Sequence, residues 1–201
     1  MSLEREVDRA DSVRMSDLIT LRERFLAADT FEAMLAQTEQ NVDLWWAVWR
    51  RARVPDEFVR RVAELEGTWH LLVLSEDWCG DAVNTLPVIA KLAALTPNLD
   101  LRVLARDRNL DLMDAHLTGT SRSIPVVMVL DESYQERGWW GSRPAALQAW
   151  VLSSGHALEK EARYLEVRRW YARDGGRTTL EEVVATLERA ATTTRPATTA
   201  R

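Results

Sequence analysis

The chain has little of what most redox or metal proteins depend on. It contains one cysteine, Cys79, among 201 residues. One cysteine excludes an internal disulfide and a structural zinc site built on paired cysteines. The three histidines, His70, His116 and His156, have no ligand spacing to one another or to Cys79. The sequence therefore predicts no metal site.

Long apolar runs and a basic surface are also missing. The longest apolar run, residues 124–130, is far too short to cross a bilayer, which takes about 20 residues. Residues 1–11 are charged and have no apolar core, so they do not form a signal peptide. The net charge of −5 offers no basic field to a nucleic acid or an anionic membrane. We expect a protein of the reducing cytoplasm, without a nucleic-acid or membrane partner.

What the chain does have is a distinctive stretch from residue 71 to residue 87. Four apolar residues at 71–74 are typical of a short strand that is buried on both faces. A polar turn leads to Cys79, after which Leu86, Ile89, Ala90 and Ala93 recur at helical spacing. A cysteine at the start of a helix lies beside unpaired backbone N–H groups, and the helix dipole there favours thiolate over thiol.

The rest of the pattern alternates helices and strands, which favours a parallel strand pair with crossover helices. We expect helices from Ser16, after Thr30, at 44–52 and from Pro55, then near 109–117, 144–151 and 158–173 and after Thr178; we expect further strands at 99–105, at 124–130 and up to Trp140. In the helix at 158–173, the spacing predicts a packed stripe of Tyr164, Val167 and Trp170. Thr178 and Glu181 have the spacing of a capping box. The segment from Thr192 has no periodicity, which predicts a disordered tail.

Four short motifs surround this stretch: Trp78-Cys79-Gly80 before the helix, Pro87 inside it, Ser123-Ile124-Pro125 before a strand, and Gly141 sixteen residues after Pro125. Together these motifs resemble the thioredoxin superfamily. The resemblance implies an α/β thioredoxin-like fold, a central mixed sheet flanked by helices, with added N-terminal and C-terminal helices. It also implies a cis bond before Pro125 and a loop that faces Cys79 and offers backbone groups to an extended substrate.

Within the superfamily, the chain is similar to a bacterial group with Trp-Cys-Gly-Asp-Ala in place of the dithiol motif. The similarity covers residues 78–82, 106–107, 112–114, 122–125, 140–144 and 170–174. On this basis we expect four parts. Residues 1–54 form a helical extension packed on the core, 55–155 the thioredoxin-like domain, 156–191 the C-terminal helices and 192–201 a disordered tail.

The departures from the thioredoxin pattern concern the reaction itself. The second cysteine of the dithiol motif is replaced by Ala82, and the buried aspartate of thioredoxins by Val73. Cys79 could form a mixed disulfide, but Ala82 could not resolve it, so turnover would need an external thiol such as glutathione or a partner's cysteine. The carboxylates of Glu76, Asp77 and Asp81 oppose a second negative charge at the thiol.

The candidate substrate-binding residues surround Cys79. They are Trp78, Gly80, Asp81, Ile124, Pro125, Trp140 and Arg143. Trp78 and Trp140 are predicted to face the substrate, whereas Trp139, the strand neighbour of Trp140, should point the other way and pack. Arg143 and Arg122 could bind an anionic group, or could form structural ion pairs with Asp81, Asp77 or Asp107.

Two functions remain open from the sequence, and no cofactor is predicted for either. In the first, Cys79 forms mixed disulfides with a low-molecular-weight thiol or a protein partner, and the protein is a monothiol oxidoreductase. In the second, the protein is a non-redox module that binds a peptide or protein in the groove between Trp78, Ile124 and Trp140. A lone cysteine is also commonly just a small buried residue.

Overall fold

A computed structural model of the protein describes residues 19–194. The helices are α1 (Leu21–Ala27), α2 (Phe31–Ala36), α3 (Val42–Arg51), α4 (Asp56–Ala63), α5 (Gly80–Leu95), α6 (Leu110–Ala115), α7 (Ala145–Leu152), α8 (Lys160–Asp174) and α9 (Arg177–Thr194); the strands are β1 (Trp69–Ser75), β2 (Leu99–Ala105), β3 (Val126–Leu130) and β4 (Glu136–Gly141). The predicted start of the first helix at Ser16 lies outside the described residues, as does the end of the tail.

The four strands form one mixed sheet in the order β2-β1-β3-β4. β1 and β2 run parallel and are joined through α5, while β3 is antiparallel to both β1 and β4. Every residue of β1 and β3 is buried, because helices cover both faces of these central strands. The predicted mixed α/β architecture is confirmed.

The N-terminal helices share the core of the sheet. Thr20 and Thr30 cap α1 and α2, each accepting a hydrogen bond from a backbone N–H of the first turn. Phe25, Phe31 and Trp45 belong to the same buried cluster as the strands. These three aromatic side chains therefore attach α1, α2 and α3 to the sheet.

The C-terminal part differs from the sequence prediction in two places. The capping box at Thr178 does not form, because α9 begins one residue earlier and the Asp174 carboxylate accepts from the Thr178 backbone N–H. Glu181 instead binds the Arg61 guanidinium at 2.9 Å. The tail predicted from Thr192 was also wrong at its start, since α9 continues through Thr194.

Candidate functional site

Cys79 lies at the N-terminal end of α5, directly after the turn that follows β1. Its backbone is extended, and its carbonyl accepts the first helical hydrogen bond, from Val83 N–H. Only 7% of the residue is exposed, and its Sγ–H donates to the Ile124 carbonyl oxygen at 3.3 Å. The thiol therefore already has a hydrogen-bond partner inside the protein.

The turn is held in place by the N-terminal helical segment. The Asp77 carboxylate accepts hydrogen bonds from Glu39 N–H at 2.9 Å and Gln40 N–H at 2.8 Å. The Asp77 carbonyl accepts from the Trp45 indole at 2.9 Å. These bonds tie the residue before Trp78 to α3 and to the loop that precedes it.

The loop opposite Cys79 contains a cis peptide bond between Ile124 and Pro125, and both residues are buried. The end of β4 packs directly against this loop. A Cβ atom on Gly141 would lie 2.3 Å from the Pro125 carbonyl oxygen, a distance that no side chain tolerates. Glycine at position 141 therefore permits the close approach of β4 to the loop.

A partly buried polar cluster lies at the first turn of α5. The Arg143 guanidinium contacts one Asp81 carboxylate oxygen, at 2.5 Å from Nη2 and 3.2 Å from Nε. The Tyr171 hydroxyl donates to the other oxygen at 2.7 Å. Burial raises the pKa of Tyr171, and the Asp81 charge raises it further, so the phenol stays a neutral donor. Asp81 thus joins α5, the loop before α7, and α8.

The environment of Cys79 disfavours the thiolate. Burial is the largest effect and raises the pKa of Cys79 to about 11, with a further increase from the Asp81 charge. The backbone N–H groups of Ala82 and Asp81 and the charge of Arg143 act in the opposite direction, but they do not compensate. The backbone N–H groups at the start of α5 do favour the thiolate, but burial has the larger effect on the pKa of Cys79.

A cleft of about 670 Å³ opens beside Cys79. Its lining comes from the turn, the start of α5, the 122–124 loop, the end of α7 and one face of α8; it includes Asn41, Leu44, Trp78, Cys79, Gly80, Asp81, Asn84, Arg106, Arg122, Ser123, Ile124, Arg143, Val151, Leu152, His156, Arg163, Tyr164, Val167 and Arg168. Trp78 is 42% exposed, and the Arg106 guanidinium lies 4.9 Å from the centre of its ring. Trp78 and Ile124, two of the three residues between which the sequence predicts a groove, line this cleft.

Comparison with known proteins gives the family. The sequence model of a family described as thioredoxin matches residues 28–163. The chain belongs to this thioredoxin family. A crystal structure of a protein of unknown function from Pseudomonas aeruginosa is similar, with 24% identity and a TM-score of 0.69 over 86% of this chain and 99% of that one. An HIV epitope-scaffold is similar at 21% identity and a TM-score of 0.67, over 85% of this chain and 98% of its own. No curated protein matches.

These likenesses confirm the thioredoxin-like fold, and the structure corrects one predicted site residue. Trp140 does not line the cleft. It is 7% exposed, and its indole N–H donates to Glu182 of α9 at 2.7 Å. The reason is that α9 covers the outer face of β4, and Trp140 points toward that helix. Trp139 packs edge-on against His116, as expected for the opposite side of the strand.

The two candidate arginines are both engaged. Arg143 pairs with Asp81, one of the ion pairs that the sequence offered as an alternative to anion binding. Arg122 pairs with Asp114 at 2.6 Å, a partner that the sequence did not suggest. Pro125 is buried behind Ile124, whereas Gly80 is exposed at the cleft.

Sequence reasoning missed Tyr171, Arg163 and Arg168. The predicted stripe of α8 placed Tyr164 inside, but Tyr164 is 50% exposed and Tyr171 is buried. The pattern failed because α8 does not pack a broad apolar face on the core. It contributes one buried hydroxyl to Asp81 and directs Tyr164 and Val167 to the cleft.

Two further features can be checked in the described part of the chain. Within residues 19–194, no three carboxylate, histidine or cysteine side chains come together in a way that could hold a metal ion. None of the helices in that range is long and apolar enough to span a membrane.

Proposed function

We propose that this protein is a thioredoxin-fold binding protein that holds a ligand in the cleft beside Cys79 and does not exchange disulfides at neutral pH. The observation that carries the proposal is the state of the thiol. Cys79 is almost fully buried, and its Sγ–H is already bonded to the Ile124 carbonyl. In this arrangement the cysteine connects α5 to the loop before β3 and serves as part of the floor of the cleft.

The size of the pKa shift favours this function over redox chemistry. With a pKa of about 11, roughly one Cys79 in ten thousand is a thiolate at pH 7. An ordinary cysteine with a pKa of about 8.5 has about 3% thiolate at that pH, so the thiolate fraction of Cys79 is lower by roughly two orders of magnitude. Because only the thiolate attacks a disulfide, the reaction slows, although the higher nucleophilicity of a more basic thiolate recovers part of the loss.

The residues around Cys79 support the same function. Ala82 occupies the place of a resolving cysteine, and it is buried in the core. Both carboxylate oxygens of Asp81 are engaged, one by Arg143 and the other by Tyr171, and the thiol donates to the Ile124 carbonyl instead. The cleft beside Cys79 is open and is bordered by Trp78 and Ile124.

A second candidate is mixed-disulfide formation, because Cys79 lines the cleft and the N–H groups of Asp81 and Ala82 stabilise its thiolate. In that reaction the Cys79 thiolate attacks oxidised glutathione. A new S–S bond joins Cys79 to one glutathione, the original S–S bond breaks, and the second glutathione leaves as a thiolate. A reduced glutathione would then have to attack the mixed disulfide, which forms a new molecule of oxidised glutathione and returns Cys79 to the thiol, since Ala82 cannot.

The rate at which iodoacetamide alkylates Cys79, followed by mass spectrometry from pH 6 to pH 10.5, separates the two candidates. We expect alkylation of the folded protein at pH 7 to be at least about 100-fold slower than that of the same chain unfolded in urea, and to keep rising through pH 10. Cys79→Ser, which leaves no thiol, provides the blank and should keep the native near-ultraviolet circular dichroism spectrum.

Two results would refute the binding-protein proposal. One is a folded-state alkylation rate that levels off below pH 8.5. The other is rapid, stoichiometric glutathionylation of the folded protein by oxidised glutathione at pH 7. Either would establish Cys79 as a redox thiol.

A further inference from the structure

The two sides of the cleft differ in how their charges are compensated. We call Cys79, Asp81, Ile124 and Arg143 the core wall, and Arg163, Tyr164, Val167 and Arg168 the α8 wall. Five arginines and one carboxylate, Asp81, line the cleft as a whole. The cleft is therefore positive in a chain whose net charge is −5.

Three of the five arginines are neutralised by carboxylates. Arg143 is paired with Asp81, Arg122 with Asp114, and Arg106 with Asp107. Arg106 also donates to the Arg122 carbonyl at 3.0 Å. These charges are compensated within the protein, where the ion pairs stabilise the loops around the cleft.

The two arginines of the α8 wall have no such partner. Within residues 19–194, neither Arg163 nor Arg168 lies at ion-pair distance from a carboxylate, although the neighbouring Arg169 is paired with Glu166 at 2.6 Å. Both unpaired guanidiniums line the cleft, where an acceptor oxygen could engage them. A guanidinium binds carboxylate, sulfonate and phosphate groups with two parallel N–H donors.

Apolar side chains accompany these charges. On α8, Val167 follows Arg163 by four residues and Arg168 follows Tyr164 by four, so each arginine has an apolar neighbour one turn away. Leu152, which is 69% exposed, and Trp78 line the same cleft. Exposed large apolar groups gathered around a concavity are typical of a binding site.

We infer that the cleft binds a small organic anion with an aromatic or aliphatic body, whose acidic group contacts Arg163 and Arg168 and whose body contacts Tyr164, Leu152 and Trp78. The volume of about 670 Å³ lies within the range of about 300–1,000 Å³ that is usual for small-molecule sites. This inference rests on the proposed binding function and adds the chemical class of the ligand. A purely polar anion such as glutathione would leave the apolar part of the site unfilled.

The test uses two fluorescent probes that differ in one group. 8-Anilinonaphthalene-1-sulfonate has an aromatic body with a sulfonate, and N-phenyl-1-naphthylamine is the same body without it. Titrations with the full chain would measure the dissociation constant of each probe. We expect Arg163→Gln/Arg168→Gln to weaken binding of the sulfonate probe by at least about tenfold, because two charge-assisted contacts are lost. Binding of the neutral probe should change by less than about twofold, since it makes no such contact.

The matched control is Arg173→Gln, which removes the same charge from an exposed position of α8 that does not line the cleft. It should change the affinity for the sulfonate probe by less than about twofold, because screening limits distant charges. Near-ultraviolet circular dichroism spectra would verify that every variant is folded. Binding of the probes to unfolded protein would then not contribute to the titrations. Glutathione at millimolar concentration should not displace the sulfonate probe.

Equal weakening by Arg173→Gln and by the double variant would overturn the inference, because the effect would then be one of net charge. So would unchanged affinity in the double variant, or displacement of the probe by glutathione. These outcomes are independent of the Cys79 alkylation rate. A reactive Cys79 with an arginine-dependent probe site would refute the proposed function and leave the ligand class standing, and the opposite pair of results would do the reverse.

Discussion

The core wall and the α8 wall face each other across one cleft, yet they are built differently. In the core wall, Asp81 and Arg143 are partly buried and paired, and Cys79 is bonded to the Ile124 carbonyl. In the α8 wall, Arg163 and Arg168 have no carboxylate partner within residues 19–194, and Tyr164 is half exposed. The polar groups of the core wall stabilise the protein, whereas those of the α8 wall remain available to a ligand.

The difference between the walls also bears on the position of the family nucleophile. Cys79 lies where a thioredoxin has its attacking cysteine, but the charges near it are already satisfied. A group that is fully paired in the resting protein has little left to offer a substrate. The unpaired arginines lie on α8: Arg163 is the last residue that the thioredoxin family model matches, and Arg168 lies beyond it.

Replacing Asp81 with Asn should have the largest effect, because it leaves Arg143 partly buried without a counter-charge. We expect a loss of about 3 kcal/mol in the free energy of unfolding, measured by urea denaturation. The pKa of Cys79 should fall as well, since the Asp81 charge raises it. Asp114→Asn, in the exposed pair with Arg122, is the control and should cost less than about 1 kcal/mol.

Equal costs for these two variants would show that the core wall is no more dependent on its ion pair than the surface is. The contrast between the two walls would then have no energetic basis.

Tyr171→Phe tests the hydrogen bond that joins α8 to Asp81 of the core wall. The hydroxyl that donates to Asp81 at 2.7 Å is lost, while the ring is kept. We expect a decrease of about 1–2 kcal/mol in the free energy of unfolding, because one Asp81 oxygen is left without its donor. Tyr164→Phe, at an exposed phenol of the same helix, should be neutral. A neutral Tyr171→Phe would mean that this bond does not hold α8 against α5.

The smallest stability effect is expected for Arg163→Gln/Arg168→Gln. Since neither guanidinium has a carboxylate partner in the described structure, the free energy of unfolding should change by less than about 0.5 kcal/mol in urea denaturation. A loss above 1 kcal/mol would show that these arginines are structural. They would then not be free to serve a ligand.

Much of the fold could be predicted from local pattern. The apolar run at 71–74, the turn at Cys79 and the helical spacing after it defined β1 and α5, and β2 was predicted with the bounds that the structure has. Thr30 was predicted as a cap from its residue type alone. These features depend on neighbours within a few residues, so they can be predicted from the amino-acid sequence.

The site could be predicted only in outline. The motifs placed Cys79 near Ile124, and the structure brings the thiol to 3.3 Å from that carbonyl. They also placed Trp140 in the groove, and that was wrong because alternation along a strand gives two faces but does not say which one α9 covers. Tyr171 lies in the segment 170–174 that the family similarity covers, but no local pattern indicated its role, which depends on Asp81, ninety residues earlier.

By itself, the sequence determined the family, the order of the main elements, the single thiol and the lack of a resolving cysteine at position 82. Only the tertiary structure decided how acidic that thiol is. Its pKa depends mostly on burial and on Asp81, Arg143 and nearby backbone N–H groups, which come together through packing of α5 against the loop before α7. Whether a charged side chain is paired within the protein or remains available to a ligand depends on which distant residues the fold brings close to it.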